Sequence, residues 1–111
     1  MKLVYIAGPY RAKTGNEIEI NIQRARAAGL KILEKPGWFP VIPHMNTAHM
    51  DGAASDEKFL EGTLEMMRRC DAVVCLEGWE QSEGSMKEID VAITRGIPVW
   101  HSVDQFMNSK I

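Results

Sequence analysis

The chain has 111 residues, 45% of them hydrophobic, and a net charge of −2. That is enough chain and apolar surface for one domain with a buried core, so a single domain over residues 1–111 is expected and no second one fits. The slight acidity, with no basic cluster larger than Arg68-Arg69, excludes a surface for polymeric nucleic acid but not a site for a single nucleotide.

The first residues reach Gly8-Pro9 too soon for a signal peptide, and no apolar run approaches membrane-spanning length. A cytoplasmic location without a membrane partner is the expectation. Leu3 to Ala7 is a continuous apolar run, which suits a central parallel strand covered on both faces. From Asn16 to about Glu34, Ile18, Ile22, Ala25, Gly29, Ile32 and Leu33 recur at helical spacing, and Pro36-Gly37 stops the pattern. Phe39 to Ile42 reads as a second strand ended by Pro43, and Met45 to Ala54 as a loop. Phe59, Leu60, Leu64 and Met67 mark a helix from about Asp56 to Arg69. Ala72 to Leu76 is a buried third strand. The helical pattern Met86, Ile89, Ile93 follows, closed by Gly96, then a strand Ile97 to Trp100 and a last helical turn or two from Val103 to Met107. Strands alternating with helices predict an α/β fold: a Rossmann-like (flavodoxin-like) open parallel sheet of about four to five strands with helices on both faces. Cys70 and Cys75 are spaced unlike a CxxC motif and read as reduced core thiols.

In such sheets ligands lie beyond the carboxyl ends of the strands, where three loops meet: Gly8 to Arg11, Pro43 to Asn46, and Glu77 to Ser85. In the third, a strand runs through Ser82, Gly84 and Ser85 into a helix, and the unpaired N–H groups of a helix N-terminus favour an anion such as phosphate. Glu88 is expected in the first turn of that helix, projecting into the same crevice. The same residues also read as a capping box, Ser85 at the N-cap and Glu88 three residues on. Gly8-Pro9-Tyr10 lacks the further glycines of a dinucleotide fingerprint, and Lys13-Thr14 lacks the glycine of a P-loop, so no bound cofactor is expected. His44, His49 and Asp51 match no compact metal site, and Ser82, His44 and Asp71 match no catalytic triad, for want of a strained serine turn. Trp38 and Trp100 read as core or edge residues, while Trp79 is a candidate wall for a base. Asp71 reads as a turn residue, Glu61 and Glu65 as solvated, and Tyr5 as a packed ring with a satisfied hydroxyl.

Taken together, Tyr5 to Arg11, Pro40 to His44, Cys70 to Val74 and Gly78 to Glu88 resemble the nucleoside 2-deoxyribosyltransferase superfamily, and more closely its small phage and bacterial branch. The similarity runs from about residue 2 to residue 100, and the spacing Ser82-x-Gly84-x-x-x-Glu88 is its most specific part. The resemblance implies an enzyme that transfers the sugar of a nucleoside to another base, or an N-glycosidase that hands the sugar of a nucleoside 5′-monophosphate to water. Glu88 would be the nucleophile that esterifies the anomeric carbon, following the logic of retaining glycosidases. Tyr5 would orient Glu88 or the sugar. Gly8, Ser82, Gly84 and Ser85 would cradle phosphate, with Pro9, Tyr10, Arg11, His44 and Trp79 completing the pocket.

Serine at position 82, where the transferases carry an aspartate, is shared with the monophosphate hydrolases and favours a 5′-monophosphate. The aspartate that helps position the sugar or protonate the base in the superfamily is replaced here by Thr63. Glu61 or Glu65 would then substitute from the same helix, or the base would leave with other help, or the chain would bind nucleotide without chemistry. The implied partner is a small-molecule nucleotide, and the implied assembly a homodimer or larger homo-oligomer.

Overall fold

β1, Lys2–Ala7, is the centre of the computed structural model, which describes residues 1–111. Its last four residues are fully buried, as an unbroken apolar run demands when both faces of a strand are covered. β2 (Trp38–Val41) and β3 (Ala72–Cys75) flank it, and the two-residue β4 (Val99–Trp100) pairs with β3. The result is a four-stranded, all-parallel sheet in the order β2-β1-β3-β4, an open Rossmann-like arrangement. Asp71 fastens the lower end of the sheet. Its N–H donates to the Leu3 carbonyl at 2.8 Å and its carboxylate accepts from the Leu3 N–H at 2.8 Å. Pro40 stands opposite Val4 in the outer strand β2, a position where proline's missing N–H is tolerated.

Alternate residues of β1 and β3 point to opposite faces. On one side Val4, Ile6, Ala72 and Val74 pack with α1 (Gly15–Ile32) and α5 (Val103–Asn108), which supply Ala25, Ala28, Ile32 and Phe106. Trp38 and Trp100 set their rings edge-on against Phe106, at centroid distances of 5.0 and 5.5 Å, in the core and edge roles expected of them. On the other side Tyr5, Ala7, Val73 and Cys75 pack with Met67 of α3 (Asp56–Arg68) and with Ile89 and Ala92 of α4 (Glu83–Thr94). α1 begins where Thr14 caps it, its hydroxyl accepting from the Glu17 N–H at 3.1 Å. No helix is long and apolar enough to cross a membrane.

Two elements differ from the sequence expectation. Pro43–Asn46 forms a short helix, α2, that buries Pro43 and His44; proline at its first position pre-sets the backbone for a helical turn. More consequentially, α4 starts at Glu83. Ser82, in extended backbone, is the N-cap and its hydroxyl accepts from the Ser85 N–H at 3.2 Å. Ser85 is therefore the third helical residue, the Ser85–Glu88 capping box does not form, and Glu88 lies in the second turn rather than the first.

Candidate active site

The site is made where β1 and β3 end. β1 leaves through Gly8-Pro9, pressed so closely against the chain leaving β3 that a Cβ on Gly8 would lie 2.7 Å from Leu76 Cβ; only glycine lets the two segments pass. After Leu76 the chain turns at Gly78, whose φ of +89° is ordinary only for glycine. It then makes a single 3₁₀ turn over Trp79–Gln81 and enters α4. Arg24 of α1 secures this crossing by donating to the Glu77 carbonyl at 3.1 Å. With α2 and α3 as the opposite wall, these segments enclose a cavity of about 850 Å³ at the carboxyl end of the sheet. That is the place where parallel α/β sheets bind ligands, and the volume is in the upper part of the usual range of roughly 300–1,000 Å³.

Glu88 and Tyr5 meet on the wall of this cavity. The Tyr5 ring is wholly buried, Glu88 is 7% exposed, and the tyrosine hydroxyl donates to Glu88 Oε2 at 2.5 Å. Tyr5 thus has both the packed ring and the satisfied hydroxyl expected of it, and its partner is the candidate nucleophile. Burial raises the Glu88 carboxyl above its usual range, while the hydrogen bond from Tyr5 and the nearby Thr63 hydroxyl favour the ionised form. Burial and the neighbouring carboxylate drive the Tyr5 phenol well above its own range, so it remains a donor at ordinary pH. Thr63 lines the cavity beside them with its hydroxyl donating to the Leu60 carbonyl at 3.2 Å, which makes its support of Glu88 weaker than that of Tyr5.

Next to this pair lies the start of α4. Ser82 accounts for two amide groups, its hydroxyl taking the Ser85 N–H and its carbonyl the Met86 N–H at 2.9 Å. The N–H groups of Glu83 and Gly84 have no intrahelical acceptor. Gly84 lines the cavity, and a Cβ there would meet nothing within 4 Å. Ser82, Gly84, Ser85 and the ammonium-bearing Lys87 therefore border one open space with a helix dipole aimed into it.

The opposite rim is held by Tyr10 and Arg11. The Tyr10 hydroxyl donates to Asp51 at 2.8 Å and accepts from the His49 N–H at 3.0 Å, while Arg11 pairs with Asp56 at 2.7 Å in full view of solvent. His44 is 3% exposed; its Nε2 lies 3.1 Å from the Gly8 carbonyl and its Nδ1 has no partner. Burial holds this imidazole below its usual range, against the pull of the Gly8 and Pro9 carbonyls. His44 thus props the first loop from beneath as a neutral ring.

Of the candidate site residues, Tyr5, Gly8, Pro9, Tyr10, Arg11, His44, Ser82, Gly84, Ser85 and Glu88 border one cavity. Trp79 does not. The left-handed turn at Gly78 sends its ring away from the cavity, edge-on to His101 at 5.6 Å, so it is not a wall for a base. Glu61 and Glu65 are exposed, as their reading as solvated residues expects: they border a separate shallow groove with Lys58 and Arg68, and Glu65 is paired with Arg68 and Arg69. Neither takes the place of a carboxylate at Thr63. Asp71 is at the far end of the sheet from Ser82 and His44, which separates the members of the would-be triad. His49 pairs with Glu19 at 2.7 Å, and no three metal-ligating side chains converge. Burial pushes the thiols of Cys70 and Cys75 up to about 11 and about 12, too high for either to serve as a nucleophile.

Sequence reasoning missed Asp56, Phe59, Leu60, Gln81 and Lys87 as cavity residues. The signal for the first three was available. Asp56, Phe59, Leu60 and Thr63 recur at i, i+3, i+4 and i+7, one stripe of α3 that faces the cavity rather than the core.

Residues 2–102 match a family described as a domain of unknown function, DUF7768, and the chain belongs to that family. No curated protein matches it significantly.

Proposed function

We propose that this DUF7768 chain cleaves the N-glycosidic bond of a nucleoside 5′-monophosphate, or transfers its sugar, through a covalent glycosyl ester on Glu88. The observation that carries this reading is a buried carboxylate, gripped by the Tyr5 hydroxyl at 2.5 Å, opening onto a cavity beside the free N-terminus of α4. The phosphate takes the amides of Glu83 and Gly84 with help from Ser82, Ser85 and Lys87. The sugar then lies over Glu88, and the base points towards Tyr10 and Phe59. One Glu88 oxygen attacks the anomeric carbon as the bond to the base breaks, and water or a second base releases the sugar. The resemblance to nucleoside 2-deoxyribosyltransferases supports the same roles for Glu88 and Tyr5.

The test is chromatographic. Purified protein is incubated with deoxy- and ribonucleoside 5′-monophosphates and the matching nucleosides, with and without a free acceptor base. Wild type releases base and Glu88→Ala loses at least about a thousandfold while its circular dichroism stays unchanged. A requirement for phosphate or for an acceptor base separates hydrolase from transferase. Thr63, in place of a catalytic carboxylate, favours a second reading, a nucleotide-binding protein without chemistry. That reading prevails if intact nucleotides raise the melting temperature and come back unconsumed.

A further inference from the structure

Resting on that reading, we infer that the substrate's base carries a positive charge on its glycosidic nitrogen, as in a pyridinium or 7-alkylpurinium nucleotide, and departs without being protonated. A neutral purine or pyrimidine leaves as an anion unless an acid gives it a proton, and such general acid help is worth roughly 10²–10⁴ in rate. The cavity offers no group placed to give it. Glu88 is the nucleophile, and it is the only buried carboxyl bordering the space. Asp51, Asp56 and Glu83 are exposed at the rim, the first accepting from Tyr10 and the second paired with Arg11. The Tyr5 proton is committed to Glu88 and the Tyr10 proton to Asp51. His44 has one ring nitrogen on the Gly8 carbonyl and the other sealed from the cavity. Thr63 stands beside Glu88 with an alcohol, which is far too weak an acid.

A second observation agrees. Four carboxylates, Asp51, Asp56, Glu83 and Glu88, border the cavity against two cations, Arg11 and Lys87. Two of the four, Asp51 and Asp56, are exposed and lie with Tyr10 and Arg11 rather than on α4. This is a poor environment for a ligand that is wholly anionic and a good one for a ligand with a phosphate at one end and a cationic ring at the other.

The chemistry balances without an acid. A Glu88 oxygen forms a bond to C1′ while the C1′–N bond breaks, and its electron pair stays on the ring nitrogen, cancelling the positive charge. The base leaves neutral. Water then attacks C1′, the bond to Glu88 breaks to restore the carboxylate, and the proton of the water passes to solvent at the open mouth of the cavity.

The experiment compares base release by the wild-type chain from nicotinamide mononucleotide, nicotinamide riboside, NAD⁺ and 7-methylguanosine 5′-monophosphate with release from AMP, GMP, CMP, UMP and their deoxy forms. The kcat/KM for at least one cationic substrate is expected to exceed that for every neutral one by at least about a hundredfold, and Thr63→Asp is expected to narrow the ratio by accelerating the neutral ones. Equal or faster release from neutral nucleotides overturns this inference and leaves the glycosidase reading standing. No release from either class, together with no sugar adduct on Glu88 by mass spectrometry, overturns both.

Discussion

Lys35 and Glu88 are buried to the same degree, 8% and 7% exposed, on opposite sides of the sheet, and they do opposite things. The Lys35 ammonium donates to the Ser109 carbonyl at 2.8 Å and the Met107 carbonyl at 3.4 Å, and lies 5.3 Å from the centre of the Phe106 ring. It closes the last turn of α5, where carbonyls lack partners and the helix dipole favours a cation. Its hydrogen-bonding demand is met within the protein. Glu88 receives one short hydrogen bond from Tyr5, and beyond it is the cavity. A buried charge surrounded by its complement is structural; one left partly unanswered at the edge of a large space is available for chemistry. Burial alone does not separate the two cases, whereas counting the partners does.

The comparison is broken most forcefully at Lys35. Lys35→Met keeps the bulk but orphans the carbonyls of α5, and is expected to cost about 2 kcal/mol, a fall in melting temperature of about 8 °C. Nucleotide binding should be unchanged, because the lysine is on the far side of the sheet; unaltered thermal stability would mean that the carbonyls find water instead.

Glu88→Gln should do the reverse. The raised Glu88 carboxyl binds its proton more tightly in the folded chain than in the unfolded one. Stability therefore falls as pH climbs from the ordinary carboxylate value through the raised one, and is fully present below it. Glutamine mimics the protonated form, so the variant is expected to be about 1 kcal/mol more stable than wild type at pH 7.5 and to lose that advantage by pH 4, while turnover disappears at both. Melting curves across pH check this, and a variant less stable than wild type at pH 7.5 would place Glu88 with Lys35. In the wild type the same ionisation puts the acid limb of kcat/KM above the ordinary carboxylate range.

The smallest effect on stability is at Gly84. Alanine has an open space to occupy there and a better helix propensity, so Gly84→Ala should gain about 0.5 kcal/mol. Its methyl group intrudes where the phosphate is proposed to sit. Affinity for a nucleoside monophosphate should fall about tenfold and affinity for the nucleoside should not, by titration calorimetry.

Much of this was legible in the residues. The unbroken apolar run of β1 led to a central strand, and the alternation of strands and helices led to a parallel sheet with its ligand site at the carboxyl end. The same reading gathered the Gly8 loop, His44 and the Ser82–Glu88 segment, whereas Tyr5 joined them only through the resemblance. Misreadings occurred where one pattern serves two structures. Ser82 and Ser85 are both good caps three residues apart, and Gly84 between them is a poor helix former, so sequence alone sets the start of α4 a turn late. Phe59 and Leu60 follow the periodicity of a buried face because a cavity wall and a core wall look alike along a helix. The direction of the Trp79 ring depends on the left-handed turn before it. Lys35 gave no sign of burial, because the carbonyls that receive it are more than seventy residues away along the chain.

The two margins of the sheet carry a consequence for self-association. β4 has only two residues in the sheet, and β2 contains Pro40, which has no N–H to offer a neighbour. Short edges and proline are the features that keep a sheet from being extended by a strand from another molecule. Copies of this chain that come together would therefore do so through helices and loops, leaving the backbone ladder as it is and the mouth of the cavity, built from those same helices and loops, within reach of a neighbour.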